Sequence, residues 1–463
     1  MNRLLNPDKV SGLGDREKEM LGRLLDVYHD AKANNETKER YYEGKIRLSE
    51  VNLGIAIPQG MAGLEIGCSW GAKTVDVLAS RSMFDGYVGE NGEEVAQMTA
   101  IVNANNLVAE YPKACRDELK IGCSFATLSA AKDIGCRIRF HSTGSAAAIW
   151  DGEKNRIAYG MAVIDTKPVN DMRTEWMPTL IRLDTDEAVW ILKKVSTDGW
   201  QATRIRHKMG RPLMEPLIYN PTSAKPFGQS RIKEPIRRLI QGYVRTIANA
   251  TIGLEFSTAP QKYLLGVSDD QFDAVVNDKF RQYVGSIITA TVNPETGEKP
   301  SFGQLQQGSI SPHVEMLKIL ATQYSAATGL TVTDTGVVNE GNPTSSDAIL
   351  AQSQTLVLLA EQLNAGNGEA LKNIAQMALA IANDKSLDEL TEEQKSIVPH
   401  FKNPAMPSVA VTADAAIKIA SARPNFAGTD TFLEMIGFSQ ADVRRIKGQE
   451  ARVRGLNVLE ELE

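Results

Sequence analysis

Residues 67–74 read GCSWGAKT, and two catalytic patterns overlap in them. Taken as Gly67-x-Ser69-x-Gly71, the string matches a nucleophile elbow, in which glycines let a strained strand-to-helix turn expose a serine to a histidine base. That elbow needs a buried strand ahead of it, yet MAGLEI is interrupted by Gly63 and Glu65, and His141, His207, His313 and His400 have no motif around them. Taken as a P-loop, the string should carry glycine immediately before the lysine so that backbone N–H groups can approach phosphate, and Ala72 stands there instead. AVID at 162–165 has the form of a Walker B strand, a form that any apolar run ending in aspartate shares. A P-loop-like ATPase or a serine hydrolase using residues 67–74 is therefore the alternative function. The plain reading puts Lys73 and Thr74 in the first turn of an amphipathic helix carrying Val75, Val77, Leu78 and Met83.

Other chemistry is thinner. There is no HExxH, no acidic loop with calcium-ligand spacing, and no CxxC among Cys68, Cys115, Cys123 and Cys136. Acid pairs such as Asp269-Asp270 and Glu392-Glu393 sit in Ser/Thr-led polar segments, where carboxylates favour the positive end of a helix dipole. The expectation is a chain that is not an enzyme, with no catalytic residues, no metal and no cofactor.

The elements that would carry any site follow from periodicity. Apolar positions at helical spacing (Met20, Leu21, Leu24, Leu25, Tyr28) predict a helix over about 13–40, then an extended arm broken by Gly44, Gly54 and Pro58. From Trp70 to about Ser129 the pattern predicts several helices. Between Gly135 and Asn220 it changes to period two, in CRIRFHS, RIAYGMAVIDT, TLIRLD, AVWILKKV and WQATRIRHK, which predicts an antiparallel meander. A long helix is expected after KPFGQS. KYLLGV and SIITATV then read as strands, with a turn at NPETGEKP and a helix over 312–329. After a polar stretch, an alanine-rich helix is expected from about Ser346 to Asn364, with more helices beyond. The fold class is α+β.

Composition sets the outer bounds. At 463 residues, 42% hydrophobic and 23% charged, the chain is long enough for two to four domains or one elongated subunit with several lobes, and it has no apolar run of the 18 or so residues a membrane helix needs. No membrane partner is expected. The start MNRLLNPDKV has no apolar core of a signal peptide, which reads as a cytoplasmic, reduced protein without structural zinc. A net charge of −6 argues against tight nucleic-acid binding, since duplex affinity comes largely from cations that release counterions from phosphate.

Two distributions of charge stand out. In the helix after Ser230, Ile232, Ile236, Leu239, Ile240, Tyr243 and Ile247 share one face, while Arg231, Arg238 and Arg245 recur at intervals of seven on the other. Pro235 suits a helix that begins at Glu234 and would kink one that begins at Ser230. Further on, the 53 residues from Ile319 through Leu371 contain Asp334, Glu340, Asp347, Glu361 and Glu369 but no lysine or arginine. An even scatter of the chain's cations would put about six there.

Seven strings in order carry a resemblance over nearly the whole chain. They are YYEGKIRL near the N-terminus, WGAKTVDVLASRSMFDGY at 70–87, PFGQSRI at 226–232, FSTAPQKYLLGV at 256–267, KPSFGQL at 299–305, GVVNEGNPTSSDAILAQ at 336–352, and TADAAIKIASARPNF near the C-terminus. Their residues and order resemble the portal proteins, or head-to-tail connectors, of tailed bacteriophages, of the siphophage type found in phages of Gram-positive hosts. The resemblance implies an elongated subunit with an α/β wing, a two-helix stem, a small α/β clip and a helical crown, assembled as a homo-oligomeric ring of twelve at one capsid vertex. Through that ring a separate terminase motor pumps double-stranded DNA, and head-tail adaptors dock on it later. Capsid and scaffolding protein are further partners, and the virion, assembled in the bacterial host cytoplasm, is the location.

Carried onto this chain, the resemblance implies an N-terminal helix and arm at 1–55, a wing at 56–228, stem helices at 229–252 and 312–330 flanking a clip at 253–311, a tunnel loop at 331–346, and wing or crown helices at 347–463. Twelve helices at about 9.5 Å spacing enclose a bore of roughly 26 Å, enough for a duplex. A channel that lets DNA slide should not hold it, because each phosphate neutralised adds affinity that motion must break. The basic-free window fits that need. On this reading Asp334, Asn339, Glu340 and Asn342 lie near the DNA path, and Arg231, Arg238 and Arg245 either pair with acids of the adjacent stem, the favoured arrangement, or face the DNA.

Overall fold

The structure is a computed structural model that describes residues 4–47, 65–90, 95–169, 176–196, 199–258, 262–265, 292, 297, 299, 301–304, 309–337, 346–405, 409–438, 442–443 and 445–452. Helices and sheets are mixed along the chain, which makes the fold α+β. The expected arm beyond Arg47, the strand SIITATV, and Asn339, Glu340 and Asn342 lie outside the described residues.

The chain opens with a short strand β1 (Val10–Ser11) and a 28-residue helix α1 (Asp15–Tyr42). Leu21, Leu24 and Leu25 of α1 are buried at the i, i+3, i+4 spacing of one face, as the periodicity requires. That face covers a sheet ordered β1-β11-β10-β9-β8-β7, whose strands are β7 (Ala146–Asp151), β8 (Arg156–Pro168), β9 (Trp176–Asp184), β10 (Ala188–Lys194) and β11 (Trp200–Arg206). From β7 to β11 this is the expected antiparallel meander, with β1 added in parallel at one edge.

Between α1 and the meander run the paired strands β2 (Lys45–Arg47) and β3 (Glu65–Gly67), helix α2 (Trp70–Ala79), strand β4 (Phe84–Val88), and helices α3 (Ala96–Ala104) and α4 (Leu107–Ile121). Helix was expected to continue to about Ser129, but α4 stops at Gly122, whose φ of +130° ends it. The next element is a strand, β5 (Cys123–Ala131), paired with β6 (Gly135–Ser142) and with β12 (Met214–Ile218). Its first six residues, CSFATL, are buried on both faces of the strand, which erases the period-two signal.

Helix α5 (Glu234–Thr258) begins where Pro235 permits, and α6 (Ser311–Thr328) packs along it. Ile236, Ile240, Val244 and Ala248 form the buried row of α5. Between the two helices the described residues include an antiparallel pair, β13 (Lys262–Leu265) and β14 (Ser301–Gln304). Helix α7 (Ser346–Ala382) runs 37 residues, well past the expected end near Asn364. Gly366 and Gly368 weaken it locally, but Leu371, Ile374, Ala375, Met377 and Leu379 beyond them are buried at helical spacing, and each large one contributes roughly 1.5–3 kcal/mol. The short α8 (Glu392–Lys395) is started by Thr391 in a capping box, with Glu392 and Glu393 in its first turn as their composition suggested. Strand β15 (Val398–Phe401) then returns to pair with β4, a connection the helical expectation for this third of the chain did not include. Helices α9 (Val409–Ala422) and α10 (Asp430–Met435) come after it. Among the described residues no helix is long and apolar enough to cross a membrane.

Candidate functional site

Of the residues singled out, Thr74 and Arg231 meet at one buried junction as packing groups, whereas Ser69 and Lys73 are exposed and the histidines lie on other elements. Ser69 is exposed just ahead of α2 with helical backbone angles (φ −80°, ψ −1°), so the strained turn of a nucleophile elbow is missing. The short strand β3 does precede it, but among the described residues it pairs with β2 alone. His141 sits on β6 with its Nε2 2.8 Å from the Thr127 hydroxyl, His207 contacts the Thr185 carbonyl at 3.2 Å, His400 is in β15, and His313 is in the first turn of α6. The Lys73 N–H already donates to the Ser69 carbonyl at 2.9 Å. Thr74, whose hydroxyl would hold a metal ion in a P-loop, is fully buried against Tyr324 at 2.7 Å. The geometry fits neither catalytic pattern.

What the motif does instead is set by its bulk. A Cβ placed on Gly71 would stand 1.9 Å from the Tyr41 carbonyl oxygen, so glycine lets α2 lie against the end of α1. Trp70 then turns into the core, stacked on Tyr324 of α6 at 4.5 Å and tilted against Tyr243 of α5 at 4.7 Å. Its indole N–H donates to the Thr335 carbonyl at 3.1 Å, and its own carbonyl accepts from the Thr74 and Tyr324 hydroxyls. Burial pushes the Tyr324 phenol well above its ordinary range, so it stays a neutral donor. Gly71→Ala is expected to cost about 2 kcal/mol or more in a denaturant titration, whereas Lys73→Ala should be nearly neutral because the Lys73 side chain lies on the outer side of α2, away from this core. A Gly71→Ala variant as stable as wild type would mean that the close approach of α2 to Tyr41 does not require glycine.

Arg231 closes the junction. It precedes α5, so it does not share the outer face with Arg238 and Arg245, and the stripe of three becomes a pair: only 7% of Arg231 is exposed. Its guanidinium donates to the carbonyl of Thr74 in α2, to the carbonyl of Thr328 at the end of α6, and to the Tyr219 hydroxyl at 3.0 Å. A cation on the last carbonyl of a helix satisfies an orphan acceptor and favours the negative end of its dipole. Arg238 is paired with Glu234 of its own helix at 3.1 Å, and Arg245 is half-buried. Asp334 lies in the 3₁₀ turn Thr333–Thr335, where its carboxylate accepts from the Thr331 N–H at 2.9 Å and hydroxyl at 2.8 Å. The Thr335 carbonyl of the same turn accepts from the Trp70 indole, which ties the turn to α2 at the foot of the loop beyond it.

A second polar knot, not visible in the sequence, lies between α4 and α7. Glu118 is fully buried, and desolvation pushes its carboxyl up to about 8. One oxygen accepts from the Asn367 amide at 2.8 Å; the other has no partner, and neither does the Asn367 oxygen. The same amide donates to the Tyr111 hydroxyl at 3.0 Å, which meets Ser82 at 2.8 Å. The four cysteines are free and buried, with thiols raised by desolvation, Cys68 to about 11 and Cys123 and Cys136 to about 12, so none is a nucleophile near neutral pH. No group of His, Cys, Asp and Glu among the described residues is placed to hold a metal ion.

No protein-family model matches the sequence, and no curated protein does. Among solved structures the fold is similar to a chain of the virion of a native gene transfer agent particle, at 10% identity and a TM-score of 0.46 over 80% of this chain and 89% of that one. It is also similar to a chain from the neck of the empty particle computed with C6 symmetry (11%, 0.44, 82% and 89%), and to one from the neck of the native particle computed with C12 symmetry (10%, 0.43, 80% and 89%). At these values the likeness does not say which role the chain fills.

Proposed function

We propose that the chain is a phage portal subunit, one of twelve forming a ring through which DNA is packaged and ejected. The observation that carries this reading is the run α5, β13–β14, α6, followed by a polar segment and the largely basic-free α7. It is the stem, clip, stem, tunnel-loop and crown order of the family that the sequence resembles. In that scheme 229–252 and 312–330, which hold most of α5 and α6, are the stem, 253–311 the clip facing terminase and adaptor, 331–346 the tunnel loop, and 1–228 the arm and wing beside the capsid. The Trp70–Arg231 junction supports it physically, since it fixes the near ends of both helices and the foot of the loop to one rigid body. A ring that must resist the reaction of a moving duplex needs such an anchorage. Asp334 serves as the fastening of the loop, while Asn339, Glu340 and Asn342 face the DNA, and Arg238 and Arg245 lie where the next stem's acids can reach them.

The test is direct imaging and native mass of the purified chain, which should give a closed ring with a central channel; monomers at every concentration and salt would sink the proposal. Glu340→Lys adds two charges per subunit, about 24 in a ring of twelve, and should slow packaging most at low ionic strength while assembly survives. Wild-type packaging rates at every salt concentration would withdraw the loop from the DNA path.

A further inference from the structure

The C-terminal end of α4 is held by groups from outside its own helix. The Leu119 carbonyl accepts from the Arg231 N–H at 2.8 Å, the Lys120 carbonyl from the Ser230 hydroxyl, and the Gly122 carbonyl from the Tyr219 N–H at 2.9 Å. The Ile121 carbonyl is taken by the Lys38 ammonium of α1 at 3.0 Å. The orphan acceptors of a helix end thus fix α1, α4 and the segment leading from β12 into α5 around one point.

Charge around that point does not balance. Burial holds the Lys38 ammonium below its ordinary range, and the charged side chains of like sign that act on it are Arg237, in the first turn of α5, and Lys225, on the loop after β12. Among the described residues none of the three has an ion pair. The Arg237 guanidinium lies 5.9 Å from the Tyr41 ring centre, and its Nε is shut off from water without an acceptor. The acids of the same elements are engaged elsewhere: Glu36 with Lys32 at 3.8 Å, Glu43 with Lys45 at 2.8 Å, and Glu234 with Arg238 at 3.1 Å. Glu118 turns to Asn367, and Glu39 and Asp117 share Lys120 at 2.8 and 3.2 Å. Taking Lys120 together with its two acids, four cations stand against two carboxylates, which leaves a surplus of two positive charges. Arg237 is also at the positive end of the α5 dipole, where a cation is disfavoured and an anion favoured. A cation at the wrong helix end, beside two others and without an acid, is a local conflict that a bound anion resolves.

We propose that Lys38, Lys225 and Arg237 form a binding site for a single phosphate group, entered from the side of Lys225, which is exposed. The surplus charge selects this ligand. A phosphate group carries about −1.5 to −2 at neutral pH and offers several acceptor oxygens, whereas one carboxylate would leave about one positive charge uncompensated. Lys38 keeps one N–H on the Ile121 carbonyl and has two left for the anion. The planar fork of Arg237, with its Nε edge turned toward the ligand, takes oxygens in pairs, and Lys225 closes the open side. The source is a free phosphate ion or the terminal phosphate of a nucleotide, which present the same charge and the same oxygens. The site stands apart from the ring reading and does not depend on it.

The test is calorimetric titration and the unfolding midpoint of the full chain in sodium phosphate near pH 7.5, against sodium chloride of equal ionic strength. Phosphate should bind once per chain with a Kd of about 1 mM or tighter and raise the midpoint. Lys225→Gln should weaken that binding about tenfold or more while leaving the midpoint in chloride unchanged, because the side chain is exposed and unpaired. Arg237→Gln should abolish binding, but it also removes the contact with Tyr41, so Lys225→Gln carries the decision. Adenosine 5′-monophosphate against adenosine separates the sources: a nucleotide that binds tighter than phosphate assigns the site to a terminal phosphate, and one that binds equally or more weakly assigns it to the free ion. A midpoint that rises as much in Lys225→Gln as in wild type is general stabilisation by salt and overturns the site. No heat and no shift in wild type up to about 20 mM phosphate overturn it as well. If, in addition, Lys225→Gln then fails to assemble where wild type does, the surplus charge belongs to an acid of a neighbouring copy instead.

Discussion

Arg231→Met is expected to destabilise the chain by about 3–5 kcal/mol, more than any single change on the exposed face of α5. Three acceptors lose their donor at once: the carbonyls of Thr74 and Thr328 and the Tyr219 hydroxyl. Charge-assisted bonds of this kind contribute more than neutral ones, and a buried carbonyl left without a partner carries a further desolvation penalty. Thr328 suffers most, as the last residue of α6, whose carbonyl has no later turn of helix to accept from. Arg231→Lys keeps the charge but not the fork, so it should recover only a minor part of the loss. By contrast, Arg238→Ala breaks an exposed i, i+4 pair with Glu234 and should change stability by less than about 0.5 kcal/mol. The measurement is the denaturant midpoint of all three variants, with the slope checked for constancy. Equal, small losses for Arg231 and Arg238 would mean that the buried fork is not holding the junction, and that the anchorage of α5 and α6 lies elsewhere.

This contrast also shows where the sequence is legible. α1, α5, α6 and the meander are amphipathic over long runs, so burial follows the period and the elements can be read from spacing alone. Arg231, Arg238 and Arg245 look equivalent at intervals of seven, but Pro235 sets the start of the helix at Glu234, and a side chain ahead of that start is free to turn inward. β5 is lost because a strand buried on both faces has no alternation, and the tail of α7 because glycines and asparagines at 364–368 imitate a stop. One of those asparagines, Asn367, is buried against Glu118, a partner 249 positions away that no local pattern can reveal. The decoy at 67–74 is instructive in the same way. Small residues beside a tryptophan satisfy catalytic templates and close packing alike, and the helical backbone at Ser69, the burial of Thr74 and the Tyr41 carbonyl at the missing Cβ of Gly71 tell them apart.

Glu118 leads to a pH dependence of definite sign. The carboxyl titrates near 4.5 when unfolded and near 8 in the fold, because burial penalises the ionised form more than the Asn367 amide favours it. The folded state therefore holds the proton more tightly. Its contribution is fully present below about pH 4.5, shrinks as pH rises, and is gone above about pH 8, a span on the order of 5 kcal/mol. Tyr111 and Cys115, which share this pocket, are themselves pushed up by desolvation and remain neutral through that window. Glu118→Gln keeps the shape and an acceptor for the Asn367 amide while removing the proton equilibrium. The variant should therefore be close to wild type at pH 5 and more stable by a few kcal/mol at pH 8, read as a widening gap between the two unfolding midpoints. Because Asn367 belongs to α7 and Glu118 to α4, the same gap should show in the hydrogen exchange of α7, which in the wild type loosens as the carboxyl ionises. A gap that stays constant from pH 5 to pH 8 would mean that Glu118 titrates like a solvated carboxyl, and that the α4–α7 contact is open to water.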